Sequence, residues 1–96
     1  MTMTSADDVV GARFPAMKFR HGYACVDVDT LLDRCVVAFR HYEEGGTAAA
    51  ATVTSSEVRS ADFPLTRWRE VYAADAVDPF LRQVADALAR WEIVAR

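Results

Sequence analysis

The strongest constraint on the fold is that the chain repeats itself. When its 96 residues are offset by 49 positions, residues 5–43 align with residues 54–92 without a gap. Twelve of the 39 aligned positions are identical, and a match of this extent at one fixed spacing indicates a duplicated structural unit. A unit of this size is too small to hold a hydrophobic core alone, so the two copies must pack on each other or on another chain.

The duplication divides the chain into two repeats and a linker. The first repeat covers residues 5–43, the linker covers 44–53 and the second repeat covers 54–96, and we expect the repeats to form one compact unit together. The ten linker residues reach about 33 Å when extended, which is enough to place the second repeat beside the first in a parallel arrangement. If residues 48–51 are helical instead, the shorter reach favours an antiparallel pair or an intermolecular dimer.

Each repeat carries the signals of a short helix, a loop and a long helix. Ser5 and Thr54 stand three residues before an acidic side chain, which is the spacing of a capping box at a helix start. A Phe-Pro pair follows in both repeats and favours an extended loop, because the residue before proline avoids the helical region. The long helix then has apolar residues at steps of four and three, which is the heptad spacing of a seam between two helices. The seam positions are Val28, Leu32, Cys35, Phe39 and Tyr42 in the first repeat and Val77, Leu81, Val84, Leu88 and Trp91 in the second.

These patterns predict an all-α fold of two helix-loop-helix repeats, with the long helices paired in a short coiled-coil-like bundle. The pairing is expected within one chain or between two copies of the chain, and another protein is the alternative partner. The residues expected to make these contacts are Val28, Leu32, Phe39, Val77, Leu81 and Leu88.

Charge and cysteine usage exclude several classes of function. The net charge of −3 disfavours a nucleic acid as the partner, because the chain has no general basic field. Cys25 and Cys35 complete no zinc spacing with His21 or His41. No nucleophile-base arrangement or glycine-rich phosphate loop stands out, so we expect neither an enzyme nor a bound metal or cofactor. The sequence shows no bilayer-spanning stretch and no secretory signal, so we expect a cytoplasmic protein. This expectation includes a protein that is attached peripherally to the inner membrane.

Two stretches of the sequence resemble the N-terminal domain of the DivIVA family. In the first repeat, Lys18-Phe-Arg-His-Gly-Tyr23 is followed by Val28-Asp-Thr-Leu-Leu-Asp33. In the second repeat, Arg67-Trp-Arg-Glu-Val-Tyr72 is followed by Ala76-Val-Asp-Pro-Phe-Leu81. The likeness covers both repeats, and their tandem arrangement resembles the DivIVA-like repeat proteins of high-GC bacteria.

The resemblance implies that an aromatic residue at a loop tip, next to an arginine, inserts into the membrane. The matching pairs are Phe19 with Arg20 and Trp68 with Arg69. An aromatic ring can enter the headgroup layer, and neighbouring cations are attracted to an anionic leaflet. The alternative is that both aromatic residues are core residues that hold the loop against the long helix. The residues expected to contact the membrane or a partner are Arg13, Lys18, Phe19, Arg20, Trp68 and Arg69.

We therefore hypothesise a non-catalytic scaffold or adaptor that resembles the DivIVA-type proteins of cell division or polar growth. It would contact the inner membrane, or a membrane-bound partner, through its aromatic-arginine loop tips. The alternative is a soluble adaptor that has the same fold and no membrane affinity, and that binds another protein through its helix faces.

Overall fold

The computed structural model describes residues 4–96, which form four α-helices, four short strands and one 3-10 turn. Each repeat contributes a short helix, two strands and a long helix, in the same order. The elements are α1 (Ala6–Gly11), β1 (Ala16–Met17), β2 (Gly22–Ala24), α2 (Cys25–Glu43), the 3-10 turn (Ala48–Ala50), α3 (Ser55–Arg59), β3 (Leu65–Thr66), β4 (Val71–Tyr72) and α4 (Ala74–Val94).

The short helices begin where the capping signals predict. The Ser5 hydroxyl accepts a hydrogen bond from the Asp8 amide at 3.3 Å, and the Asp8 carboxylate accepts one from the Ser5 amide at 2.9 Å. These two bonds complete the capping box of α1. In α3 the Thr54 hydroxyl accepts from the Glu57 amide at 3.1 Å, but the Glu57 carboxylate binds Arg34 at 3.0 Å instead. The predicted cap is therefore reciprocal in the first repeat and one-sided in the second.

The prediction of an all-α fold is wrong, because the two loops contribute a four-stranded antiparallel sheet. The strand order is β1-β4-β2-β3, so strands of the two repeats alternate across the sheet. At its centre β2 pairs with β4, with Tyr23 opposite Tyr72. Each strand has only two or three residues, which is too short for an alternating pattern to show in the sequence. The sheet exists only because each strand finds its partner in the other repeat.

The predicted coiled-coil-like pair of long helices is also wrong. Each long helix packs mainly against the short helix of its own repeat, α1 on α2 and α3 on α4, and α2 and α4 share little direct contact. The heptad pattern shows which face of each helix is buried but not which element covers that face. The six residues named for the pairing lie in the common core: Val28, Leu32, Phe39, Val77, Leu81 and Leu88.

The two long helices nevertheless run in the same direction. Strands β2 and β4 pair with each other and lead directly into α2 and α4, so the helices start side by side. At the other end, the rings of Tyr42 and Trp91 stack with centroids 5.5 Å apart. The linker returns to the start of the second repeat with only one 3-10 turn, and the Ala48 amide donates to the Ala95 carbonyl at 2.7 Å.

The loop of each repeat crosses over to the other repeat. The Phe14 ring lies 5.3 Å from that of Tyr72, and the equivalent pair, Tyr23 and Phe63, is 5.2 Å apart. The apolar cluster therefore draws residues from both repeats. This exchange fixes where the two loops meet, at the end of the molecule where α2 and α4 begin.

Candidate functional site

The two loop tips, residues 18–20 and 67–69, carry a large aromatic side chain at equivalent positions. Phe19 is 78% exposed and Trp68 is 77% exposed, so neither ring belongs to the core. Phe19 also has a φ of +63°, in the left-handed region that residues other than glycine rarely adopt. Such a conformation costs about 1–2 kcal/mol for a side chain with a Cβ. The fold therefore exposes the Phe19 ring to water and keeps the Phe19 backbone in a strained conformation.

The two loop tips meet and line an open cleft of about 550 Å³, which we call the tip cleft. Both tips reach the same end of the molecule because β2 and β4 are neighbours at the centre of the sheet. The Arg67 guanidinium lies over the Trp68 ring at 4.8 Å from its centroid, within the range of a cation-π interaction. The cleft is lined by Lys18, Phe19, Arg67, Trp68, Arg69 and Glu70.

The cations of the tip cleft are available to an external anion. Lys18, Arg67 and Arg69 face one carboxylate, that of Glu70, in the lining. The ion pairs within residues 4–96 join other side chains and use none of these four groups. The tip cleft is thus a basic patch on a chain whose net charge is −3.

The structure separates the six predicted contact residues. Lys18, Phe19, Trp68 and Arg69 line the tip cleft, whereas Arg20 is exposed on the first loop tip outside that lining. Arg13 lies elsewhere and lines a different groove beside α2. Its guanidinium donates to the carbonyl groups of Val10 and Ala12, at 2.9 Å and 2.8 Å.

Two cleft residues were missing from the predicted contact set. Arg67 is the repeat counterpart of Lys18, so the alignment of the repeats could have identified it. Glu70 corresponds to His21 in the first repeat and directly follows Arg69, so the sequence itself indicates that it offsets Arg67 and Arg69. Its place in a cleft with Lys18 follows only from the way the two tips meet.

Two tyrosine-aspartate hydrogen bonds join the strand after each loop tip to the long helix of the other repeat. The Tyr23 hydroxyl donates to the Asp78 carboxylate at 2.8 Å, and the Tyr72 hydroxyl donates to the Asp29 carboxylate at 2.9 Å. Burial, reinforced by the bond to Asp29, raises the pKa of Tyr72 to about 12. Burial and the bond to Asp78 likewise raise the pKa of Tyr23. Both hydroxyls therefore stay protonated and keep donating near neutral pH.

The pairing of β2 with β4 requires a glycine at position 22. A Cβ on Gly22 would stand 2.5 Å from the Tyr72 carbonyl oxygen and 2.9 Å from a methyl carbon of Val71. The backbones of β2 and β4 approach this closely only because Gly22 has no side chain. The equivalent position of the second repeat is Val71, which is buried in this contact.

Several other kinds of site find no support in the described part of the chain. Burial raises the pKa of Cys25 and raises that of Cys35 to about 11, which disfavours the reactive thiolate of either residue. Residues 4–96 contain no group of three or more His, Cys, Asp or Glu side chains that could hold a metal ion. Over the same range, no helix is long and apolar enough to cross a membrane.

Comparison with protein-family models, with curated proteins and with solved structures found no match to this chain. The likeness to the DivIVA N-terminal domain therefore stays a prediction that rests on the two quoted stretches of sequence.

Proposed function

We propose that the protein is a non-catalytic scaffold or adaptor that binds an anionic membrane surface through its two loop tips. The observation that carries this proposal is the placement of Phe19 and Trp68 together, both exposed, among three cations. In this reading the protein works at the inner membrane, as the resemblance to the DivIVA-type proteins of cell division or polar growth implies.

The physical chemistry of the tips supports reversible peripheral binding. Full burial of an aromatic side chain in an apolar environment is worth about 1.5–3 kcal/mol, and each cation near an anionic leaflet adds about 1 kcal/mol. Two rings and three or four cations on one end of the molecule combine both terms. We expect membrane binding to weaken as the salt concentration rises, because salt screens the attraction between the cations and the anionic lipids.

The fold also leaves surface for a partner when the tips face a membrane. Helices α2 and α4 start next to the tips and run away from them, so their outer faces would point into the cytoplasm. A protein that is attached at one end and presents helix faces at its sides has the form of an adaptor.

A soluble adaptor with no membrane affinity is the second candidate function, and one surface favours it. Val10 and Val37 are 51% and 54% exposed on the first repeat. The equivalent residues of the second repeat, Arg59 and Asp86, form a salt bridge at 2.8 Å. Where one repeat has a polar pair, the other presents two apolar side chains that a protein partner could cover.

Co-sedimentation with vesicles separates the two candidates. We expect the wild-type protein to sediment with phosphatidylglycerol vesicles at low salt and to stay in the supernatant with phosphatidylcholine vesicles. A Phe19→Ala/Trp68→Ala variant should lose the sedimentation. The matched control is Ile93→Ala/Val94→Ala, which removes two exposed apolar side chains near the end of α4 and should bind as the wild type does. Failure of the wild type to sediment with phosphatidylglycerol would contradict the membrane proposal and leave the soluble adaptor.

A further inference from the structure

The tip cleft is an open, cationic groove with room for one small ligand. We infer that it binds a single lipid headgroup that carries two phosphates. This inference rests on the proposed function, since it names the lipid that the loop tips would select within an anionic membrane.

The charge of the tip cleft matches a dianion. Its lining holds Lys18, Arg67 and Arg69 against the carboxylate of Glu70, which leaves two net positive charges. Two of the three cations are arginines, and a guanidinium can donate two parallel hydrogen bonds to one phosphate. A headgroup with two phosphates can therefore place one of them on each arginine.

The volume of the tip cleft favours a ligand larger than one phosphate. The tip cleft is open on one side, and its volume of about 550 Å³ has room for more than one phosphate group. A single phosphodiester would leave most of that space to water. A phosphate-glycerol-phosphate headgroup fills more of it, and the exposed rings of Phe19 and Trp68 form an apolar rim that the acyl chains can contact.

The tip cleft is one-sided, although the two repeats are related by duplication. It includes Arg69 and Glu70 of the second loop tip but not their counterparts in the first, Arg20 and His21. A surface that attracts anions by its overall charge alone would engage the cations of both tips equally. The asymmetric lining instead separates the cations inside the cleft, Lys18, Arg67 and Arg69, from Arg20, which lies on a loop tip but outside the cleft.

Vesicles of equal surface charge test this inference. One set contains diphosphatidylglycerol, with two phosphates per headgroup, and the other contains phosphatidylglycerol, each diluted with phosphatidylcholine to the same charge per area. We expect the wild type to bind the first set about fivefold more tightly, which corresponds to about 1 kcal/mol. Equal affinity of the wild type for the two sets would overturn the inference and leave the proposed function in place.

A pair of double variants locates the preference. Lys18→Gln/Arg67→Gln removes two charges from the tip cleft and should bind both vesicle sets equally. Arg13→Gln/Arg20→Gln removes two charges outside it, of which only that of Arg20 lies on a loop tip, and should keep the preference. Loss of the preference in both variants to the same degree would show that total charge, and not the cleft, selects the lipid.

A soluble ligand tests the tip cleft without a membrane. The chain has two tryptophans, Trp68 and Trp91, so a Trp91→Phe background makes fluorescence report on Trp68 alone. We expect glycerol 1,3-bis(methyl phosphate), whose two phosphodiesters carry one negative charge each, to change this signal saturably. Glycerol 1-(methyl phosphate), with a single charge, should do so more weakly, and the Lys18→Gln/Arg67→Gln variant should show no saturable change. A wild-type cleft that does not respond to the bis(methyl phosphate) would contradict the inference whatever the vesicles show.

Discussion

The Tyr23 hydroxyl of the first repeat donates a hydrogen bond of 2.8 Å to the Asp78 carboxylate of the second. The equivalent bond runs the other way, from Tyr72 to Asp29. Each repeat therefore secures its own loop on the long helix of its neighbour, close to the strands that carry the loop tips. Because the repeats exchange these contacts, we expect the chain to unfold as one cooperative unit.

The Tyr23–Asp78 bond should contribute measurable coupling between the repeats. We predict a coupling free energy of about 1 kcal/mol from a double-mutant cycle of Tyr23→Phe and Asp78→Asn, because the bond joins a neutral donor to a charged acceptor. Urea denaturation of the wild type, both single variants and the double variant measures it. Strictly additive single effects would mean that the bond contributes nothing.

The raised pKa of Tyr72 predicts a loss of stability at alkaline pH. The folded pKa of about 12 lies above the ordinary value of 10.0, so the folded state holds the proton more tightly than the unfolded state. The stabilisation from this group is complete below about pH 10 and is lost as the pH rises towards about 12. Denaturation between pH 8 and 12 should show this decline in the wild type and a shallower one in Tyr72→Phe. Parallel declines in the two proteins would contradict the assignment.

Two equivalent glutamates should differ in the stability that they contribute. The Glu92 carboxylate accepts from both the amide and the hydroxyl of Ser55, each at 2.7 Å, whereas Glu43 accepts only from the Ala6 amide, at 2.9 Å. We predict that Glu92→Gln costs about 1–2 kcal/mol of unfolding free energy, and that Glu43→Gln costs less. Thermal denaturation of the two variants compares them directly. An equal or larger loss in Glu43→Gln would contradict this reading.

The close approach of β2 and β4 predicts opposite effects of one substitution at two glycines. Gly22→Ala should destabilise the fold by about 1–3 kcal/mol, because its methyl group meets the Tyr72 carbonyl oxygen. That oxygen belongs to the backbone of β4 and cannot move aside without disturbing the strand pairing. Gly11→Ala is the control, since a Cβ there meets no atom within 4 Å. In that helical position alanine should be neutral or stabilising by up to about 1 kcal/mol. A neutral Gly22→Ala variant, judged by urea denaturation, would show that the strands can separate without cost.

Local and periodic signals in the sequence predicted several features well. The caps at Ser5 and Thr54 are present, because a capping interaction joins residues only three positions apart. The buried face of each long helix also agrees with the heptad positions. The element that covers this face could not be read from spacing, since a short helix and a second long helix demand the same apolar stripe.

The candidate site was only partly predictable. The sequence placed an aromatic residue and a cation on each loop, and the structure keeps Lys18, Phe19, Trp68 and Arg69 together. It leaves Arg13 beside α2 and adds Arg67 and Glu70. Membership of the tip cleft depends on how the two tips face each other, and no pattern within one loop contains that relation.

By itself, the sequence determined that the chain is a duplication with two capped short helices and two long helices, each with one buried face. Those features arise from interactions between near neighbours along the chain or from a regular period. Only the tertiary structure decided that the loops form an interleaved sheet, that the long helices run in the same direction without pairing, and that Lys18 and Arg67 share one cleft. These outcomes depend on contacts between residues about one repeat length apart, such as Tyr23 with Tyr72, and strands of two or three residues become stable only when such partners meet.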